Sequence, residues 1–239
     1  MSVDLGPGQR YLAHTAEGRY YVATQLINQS GLLLNLDAGV TQSYSGSGSV
    51  WYDLATGNDI NLSGTTGYTT DAYGGITFGS TGQGNSIGNV SFSTGWTISA
   101  WIKHTGTITA TTQRYITVSS EAAVLRHNGS TNSNLHAYLF NNAGTYRSIE
   151  VDEQIYINNY YNVVATFNNS SIYLYKNAQL IGVSTTVTLP IRTPTSVLLG
   201  ASGGEEFFGN MYTAQMYNRP LSQTEVTSNF NVVRGRFDI

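Results

Sequence analysis

Glu150-Val-Asp152-Glu153 is the segment whose residue types and spacing come closest to catalytic chemistry. On an extended strand, residues i and i+2 point to one face, so Glu150 and Asp152 would stand together as acid and nucleophile. Such a pair hydrolyses a glycosidic bond only at a defined separation of its carboxyl groups. Acids on an edge strand also serve to prevent aggregation, and that plainer reading is favoured over a glycanase. The four histidines, His14, His104, His127 and His136, show no i/i+4 or His-x-His spacing. A transition-metal site is therefore not expected. No Gly-x-Ser-x-Gly elbow precedes a helix, and no Ser/His/Asp arrangement stands out. With no cysteine there is no thiolate nucleophile, disulfide or Cys-ligated zinc. The chain reads as non-enzymatic, with no catalytic residue assigned.

Two residue classes point to binding instead. Asp37, Asp53, Asp59 and Asp71 fall in or beside predicted loops and carry the hard oxygens that calcium prefers. Turn chemistry, in which such side chains bond their own backbone, is the favoured explanation. No resident cofactor is expected, loop calcium being the one candidate. Tyrosine is abundant, with 17 residues, and Tyr44, Tyr52, Tyr68, Tyr73 and Tyr146 lie in predicted loops. Aromatic faces flanked by Asn, Gln and Ser suit sugar rings, which present apolar C–H faces and hydroxyl edges. The same surface suits a protein partner, for which tyrosine offers rigid amphipathic area. These five tyrosines are the candidate glycan- or partner-binding residues.

Composition limits the partners further. Hydrophobic residues make up 40% of the 239, enough to bury a core without staples, while charged residues make up only 10%. Net charge is −3, and Lys103 and Lys176 are the only lysines. Nucleic acid needs a basic footprint to neutralise phosphates, and an anionic membrane needs a basic patch, so neither partner is expected. Apolar runs such as Gly31-Leu-Leu-Leu34 are too short to span a bilayer. The opening Met-Ser-Val-Asp-Leu-Gly-Pro-Gly-Gln-Arg lacks the basic start and apolar stretch of a secretory signal. The expectation is a protein that acts where it is made or leaves the cell within something larger.

The elements that must position these residues are strands. From Gly31 onward, short apolar or alternating runs are separated by Gly/Ser/Asn/Thr clusters, as in a sandwich or barrel. Leu32–Leu36 reads as a buried strand. Trp96–Lys103 alternates, with Ile98, Ala100 and Ile102 on one face and Trp101 on the other. Tyr161–Phe167 repeats the pattern with Val163, Ala165 and Phe167. Ile172–Ile181 reads as a hairpin turning at Asn177-Ala178, and Val197–Gly200 and Asn210–Tyr217 as further strands. One helix is signalled near the end. Ser222 and Glu225 form a capping box, with Leu221 and Val226 at the staple positions. Val226, Phe230 and Val233 fall on one face, and Gly235 is placed for a C-cap. Residues 1–30 carry Gly6-Pro7-Gly8 and little alternation beyond Tyr20–Ile27; they read as a loose terminus or an anchoring arm. The organisation expected is an arm over 1–30 and one domain over 31–239.

Several segments resemble the laminin-G-like jelly roll of the concanavalin A-like lectin/glucanase superfamily. Phe208-Gly-Asn-Met-Tyr-Thr-Ala-Gln-Met-Tyr-Asn-Arg-Pro-Leu-Ser-Gln-Thr-Glu-Val226 is similar to its closing strand and the turn into its helix. Thr97–Lys103 resembles its central strand, and Tyr161–Phe167 with the following hairpin resembles a further pair. Gly31–Gly39, Ser43–Gly48 and Val50–Leu54 resemble an opening found in virion proteins of tailed bacteriophages, as Asn231–Phe237 resembles their ending. The resemblance implies an all-β, two-sheet antiparallel sandwich with a short C-terminal helix and an N-terminal extension. It also implies a virion surface protein, a capsid decoration or fibre component, docked through residues 1–30. Its implied partners are capsid or fibre subunits, a host surface glycan and, by analogy, further copies in a trimer. The alternative is a carbohydrate-binding lectin module for host recognition. The family's glucanases use Glu-x-Asp-x-(x)-Glu, but here Gln154 and Ile155 stand where the last Glu belongs. The usual Phe-Asp-Gly after the early strands is Phe78-Gly79-Ser80, so the acidic loop of the family is not carried over.

Overall fold

The computed structural model describes residues 27–86, 92, 95–106, 112–129, 134–185, 192, 194–201 and 204–239, together with the backbone of 12–14 and 20–22. The remainder of the N-terminal segment lies outside the described residues.

Leu12–His14 (β1) and Tyr20–Val22 (β2) form a small antiparallel ladder. The body begins with Leu32–Asp37 (β3), Val50–Trp51 (β4), Ile60–Ser63 (β5), Thr66–Thr69 (β6), Gly75–Phe78 (β7) and Gln83–Ser86 (β8). It continues with Trp96–His104 (β9), Gln113–Val118 (β10), Ala123–Asn128 (β11), Asn134–Phe140 (β12) and Tyr146–Val151 (β13). Tyr160–Phe167 (β14), Ile172–Lys176 (β15), Gln179–Val183 (β16), Val197–Leu199 (β17) and Gly209–Tyr217 (β18) complete the strands, before helix α1 at Gln223–Val233.

Among the described residues the strands make two large antiparallel sheets. One runs β16-β15-β14-β9-β18-β7-β6, with β3 also paired to β18; the other runs β13-β12-β11-β10-β17-β8-β5-β4. The alternation of the sequence explains the packing. Ile98, Ala100, Ile102, Val163, Ala165 and Phe167 face Leu125, Leu135, Ala137, Leu139 and Ile149 in a shared core. Each large aliphatic side chain buried this way stabilises the fold by roughly 1.5–3 kcal/mol. The architecture read from the sequence, a two-sheet jelly roll with a short C-terminal helix, is the one observed.

The hairpin turns at Asn177 and Ala178, whose φ values of 49° and 63° are both left-handed, as a primed two-residue turn requires. Ala178 tolerates this without the usual glycine, and it is buried.

The outer face of the β9 sheet is also covered. Trp101 points away from the shared core and stacks on Phe237, with ring centroids 4.1 Å apart, and on Phe230 at 5.3 Å. Ile27, Ala178, Tyr212 and Val233 complete the buried part of this second cluster. Helix α1 starts as its sequence requires: Ser222 accepts from the Glu225 amide, and Glu225 accepts from the Ser222 amide at 2.8 Å. Val226, Phe230 and Val233 are its buried face. Its end departs from expectation. The helix passes directly into a 3-10 turn at Arg234–Arg236, and Gly235 sits inside that turn. The 3-10 turn satisfies the last carbonyls itself, so no left-handed glycine cap is needed.

Residues placed with the arm by sequence are bolted to this helix. Asn28 Nδ2 donates to Glu225 Oε1 at 2.8 Å, the Asn28 amide donates to Asn229 Oδ1 at 2.8 Å, and Arg219 reaches Asn28 Oδ1 at 2.9 Å. The Arg219 guanidinium beside it, against a smaller burial penalty, holds the Glu225 carboxyl down at about 2. Glu225→Ala is therefore expected to lower stability by about 1–2 kcal/mol through the lost cap and pair. Urea denaturation checks this, and a midpoint unchanged from wild type would contradict it.

Candidate functional site

With one face of the β9 sheet under α1, the outer face of β10–β13 is the sheet surface over which the described residues place no helix or strand. Period-2 alternation puts Leu135, Ala137 and Leu139 inward and His136, Tyr138 and Phe140 outward. Register then aligns Arg114 with Arg126, Arg126 with His136, His136 with Glu150, and Phe140 with Tyr146. Four strands thus bring together side chains scattered over some forty positions of sequence.

The floor of this face is a closed polar and aromatic network. Arg126 donates to both oxygens of Glu205 at 3.0 Å. Arg114 donates through Nε to Glu205 and through a terminal nitrogen to Glu121 at 2.7 Å. The Tyr138 hydroxyl donates to the same Glu121 oxygen at 2.9 Å, and the Arg126 guanidinium lies 4.9 Å over the Tyr138 ring. Burial pushes the Tyr138 phenol well up, so it stays protonated as a donor. His136 is buried; burial first, and then Arg126, lower it to about 4, leaving the ring neutral at pH 7. Such planar, pre-paired groups keep their orientation when a ligand arrives, which lowers the cost of binding.

The rim is exposed. Tyr146 is 42% exposed, and its ring is 5.2 Å from Phe140 and 5.4 Å from Tyr138. Glu150, four residues on, accepts from Asn128 Nδ2 at 2.8 Å and Asn134 Nδ2 at 2.9 Å. Partial burial raises its carboxyl, but the two amide hydrogen bonds outweigh this and hold it below the usual carboxylate value. An ionised acceptor is suited to receiving hydroxyl donors and unsuited to the protonated role of a general acid. β13 ends at Val151, so strand alternation does not extend to Asp152, and Glu153 turns away to pair with Lys176.

Of the five tyrosines singled out by sequence, only Tyr146 stands on this face. Tyr44 is 5% exposed within the shared core, donates to the Gly48 carbonyl at 2.8 Å and lies 5.5 Å from the partly buried Tyr68. Tyr52, at 52% exposure, follows β4, and Tyr73 occupies a left-handed position in a 3-10 turn. The four loop aspartates are engaged by protein donors. Asp53 accepts from the amides of Asn35, Ala55, Thr56 and Asn58, and Asp59 from that of Asp53. Asp37 accepts from Gly39 and Arg236, and Asp71 from Lys103, Tyr160 and Tyr212. Sequence reasoning missed Arg114, Arg126, His136 and Tyr138. The alternation of Leu135–Phe140 was the available signal.

Two face-to-face antiparallel sheets with one open, polar-aromatic face define a lectin-type jelly roll. The sequence model of the concanavalin A-like lectin/glucanases superfamily, laminin-G type, matches residues 78–227, more than half of the chain, and the protein belongs to this superfamily. Among solved structures it is similar to the receptor-binding domain of botulinum neurotoxin C/D mosaic serotype. That match has a TM-score of 0.67 and 15% identity, over 85% of this chain and 52% of the other. The binding domain of botulinum neurotoxin DC in complex with rat synaptotagmin II gives 0.69 and 14%, over 86% and 52%. The same domain in complex with SialylT gives 0.66 and 14%, again over 86% and 52%. The chain thus spans about half the length of these solved structures, and at such identities the likeness is one of fold. A sequence search of curated proteins returns no match.

Proposed function

We propose that this protein is a non-enzymatic glycan-recognition module displayed on a particle surface, and that it binds through the outer face of β10–β13. The observation that carries this reading is the pairing of a rigid, internally satisfied floor with an exposed aromatic ring, Tyr146, and an ionised acceptor, Glu150, on one face. An aromatic ring takes the C–H face of a sugar, and fixed polar groups take its hydroxyls. The solved relatives support the class of ligand: one is in complex with SialylT, and another is described as dependent for cell entry on two ganglioside molecules.

The setting we propose is the virion surface of a tailed bacteriophage, as a capsid decoration or fibre component. The opening segments over 31–54 and the Asn231–Phe237 ending support it, as does the polarity of the domain. Ile27 and Asn28 pack on the helix-covered face, and attachment through the residues before them would point the β10–β13 face away from the particle.

A glycan array tests the recognition role. Wild type is expected to bind a defined set of glycans, and Tyr146→Ala to lose at least about tenfold in affinity. No binding by wild type, with or without calcium, contradicts it. Mass spectrometry of purified particles tests the setting; absence of the chain from any particle contradicts that part.

A further inference from the structure

The hydrogen bonds across the open face run in one direction, and that direction determines what Tyr146 offers. A guanidinium only donates, so the 3.0 Å contact from Arg126 Nε makes His136 Nδ1 the acceptor. A neutral imidazole then carries its single proton on Nε2. Nε2 lies 3.2 Å from the Tyr146 hydroxyl, which must accept from it. The phenolic proton of Tyr146 is left over, and the hydroxyl has no other partner among the described residues.

We propose that Tyr146 is the ligand-reading residue of this face: a hydrogen-bond donor, oriented by the Glu205–Arg126–His136 chain, that takes an acceptor oxygen on the edge of a sugar ring. This rests on the glycan reading above and deepens it. Tyr146 donates while Glu150 only accepts, so the two ends of β13 ask for opposite chemistry. Their backbones are four residues apart, but the Tyr146 hydroxyl leans to within 3.2 Å of His136, the register partner of Glu150, so donor and acceptor stand near one another. The ligand is therefore a glycan edge that presents an acceptor oxygen to Tyr146 and a free hydroxyl to Glu150. Arg126 and His136 do not touch the ligand in this arrangement; they are positioning residues. Arg126 and Glu205 face His136 from one side, Glu150 and Tyr146 from β13, and Tyr138 along its own strand. Acid that protonates His136 turns Nδ1 into a donor opposing Arg126, which breaks the chain and releases Tyr146.

Nitrogen-15 NMR of histidine-labelled protein, with the His136 signals assigned by loss in His136→Gln, reads the chain without any ligand. The expected result at pH 7 is the Nε2–H tautomer, with no titration near the ordinary histidine range. An Nδ1–H tautomer, or a His136 midpoint near 6.5, overturns the proposal. The second arm uses the array glycans. Tyr146→Phe keeps the ring and removes the donor, and is expected to bind about tenfold more weakly, the worth of one hydrogen bond. Wild-type-like binding by Tyr146→Phe, alongside lost binding by Tyr146→Ala, overturns the donor role and leaves the glycan face standing. No glycan binding by wild type instead removes the reading on which the proposal rests.

Discussion

Trp101→Ala is expected to destabilise the domain by about 3–5 kcal/mol, the range for removing a buried large aromatic. Trp101 is 1% exposed and lies almost parallel to both Phe230 and Phe237. It is a floor on which α1, the C-terminal turn and Ile27 rest, while Leu221 and Val226 also pack on Val164, Tyr175 and Tyr217 of the same sheet. The loss is therefore expected to be uneven. Hydrogen exchange in Gln223–Val233 should accelerate more than in β11 or β12, which pack through the other core. Urea denaturation and exchange mass spectrometry measure the two effects. A loss below about 1 kcal/mol, the mean for ordinary substitutions, would show that the helix is held by other contacts.

Acidification is the second large effect. His104 and His127 are fully buried between the sheets, with ring centroids 5.5 Å apart. His104 Nε2 lies 2.9 Å from the Tyr115 hydroxyl and His104 also interacts with the Gln113 side chain, while both His127 nitrogens have no hydrogen-bond partner among the described residues. Burial, and for His104 the neighbouring His127, depress them to about 3 and about 4. Both are neutral when folded and titrate near 6.5 when unfolded. The unfolded chain then binds more protons, so stability is complete above about pH 6.5 and falls as pH drops toward 3. At about 1.4 kcal/mol per pKa unit, the pair withdraws on the order of 5 kcal/mol by pH 4. Carboxylates such as Glu225 contribute only below the unfolded carboxylate value, so the window from about pH 6.5 to 5 isolates the histidines. His127→Leu should flatten the profile in that window at little cost at pH 7, since it removes a buried polar group without a hydrogen-bond partner among the described residues. An unchanged slope in His127→Leu would contradict the assignment.

How far these features were legible in the sequence depends on whether the signal was local. The capping box of Ser222 and Glu225, the turn at Asn177-Ala178 and the two-faced alternation of Trp96–Lys103 are local patterns, and each was read correctly. Gly235 misled because a C-terminal glycine has the same appearance whether it caps a helix or continues in a 3-10 turn. The loop tyrosines show the opposite limit. Tyr44 and Tyr146 sit in similar Gly/Ser/Asn-rich surroundings, yet one is core and the other rim. Tyr44 lies outside any strand, between β3 and β4, whereas Tyr146 opens β13 and strand register sets it on the outer face. The same register assembles Arg114, Arg126, His136 and Glu150, which share no sequence motif and meet because β10–β13 are consecutive antiparallel neighbours. The buried His104–His127 pair is equally invisible, since its members come from opposite sheets.

The most direct test of recognition through the β10–β13 face is a hydrogen-exchange footprint of the protein with and without an array-identified glycan. The account predicts slowed exchange over Ala123–Asn128, Asn134–Phe140 and Tyr146–Val151, with α1 unchanged. Protection confined to the loops around Tyr52 and Tyr73, or to the helix-covered face, would contradict it and move the binding site elsewhere on the domain.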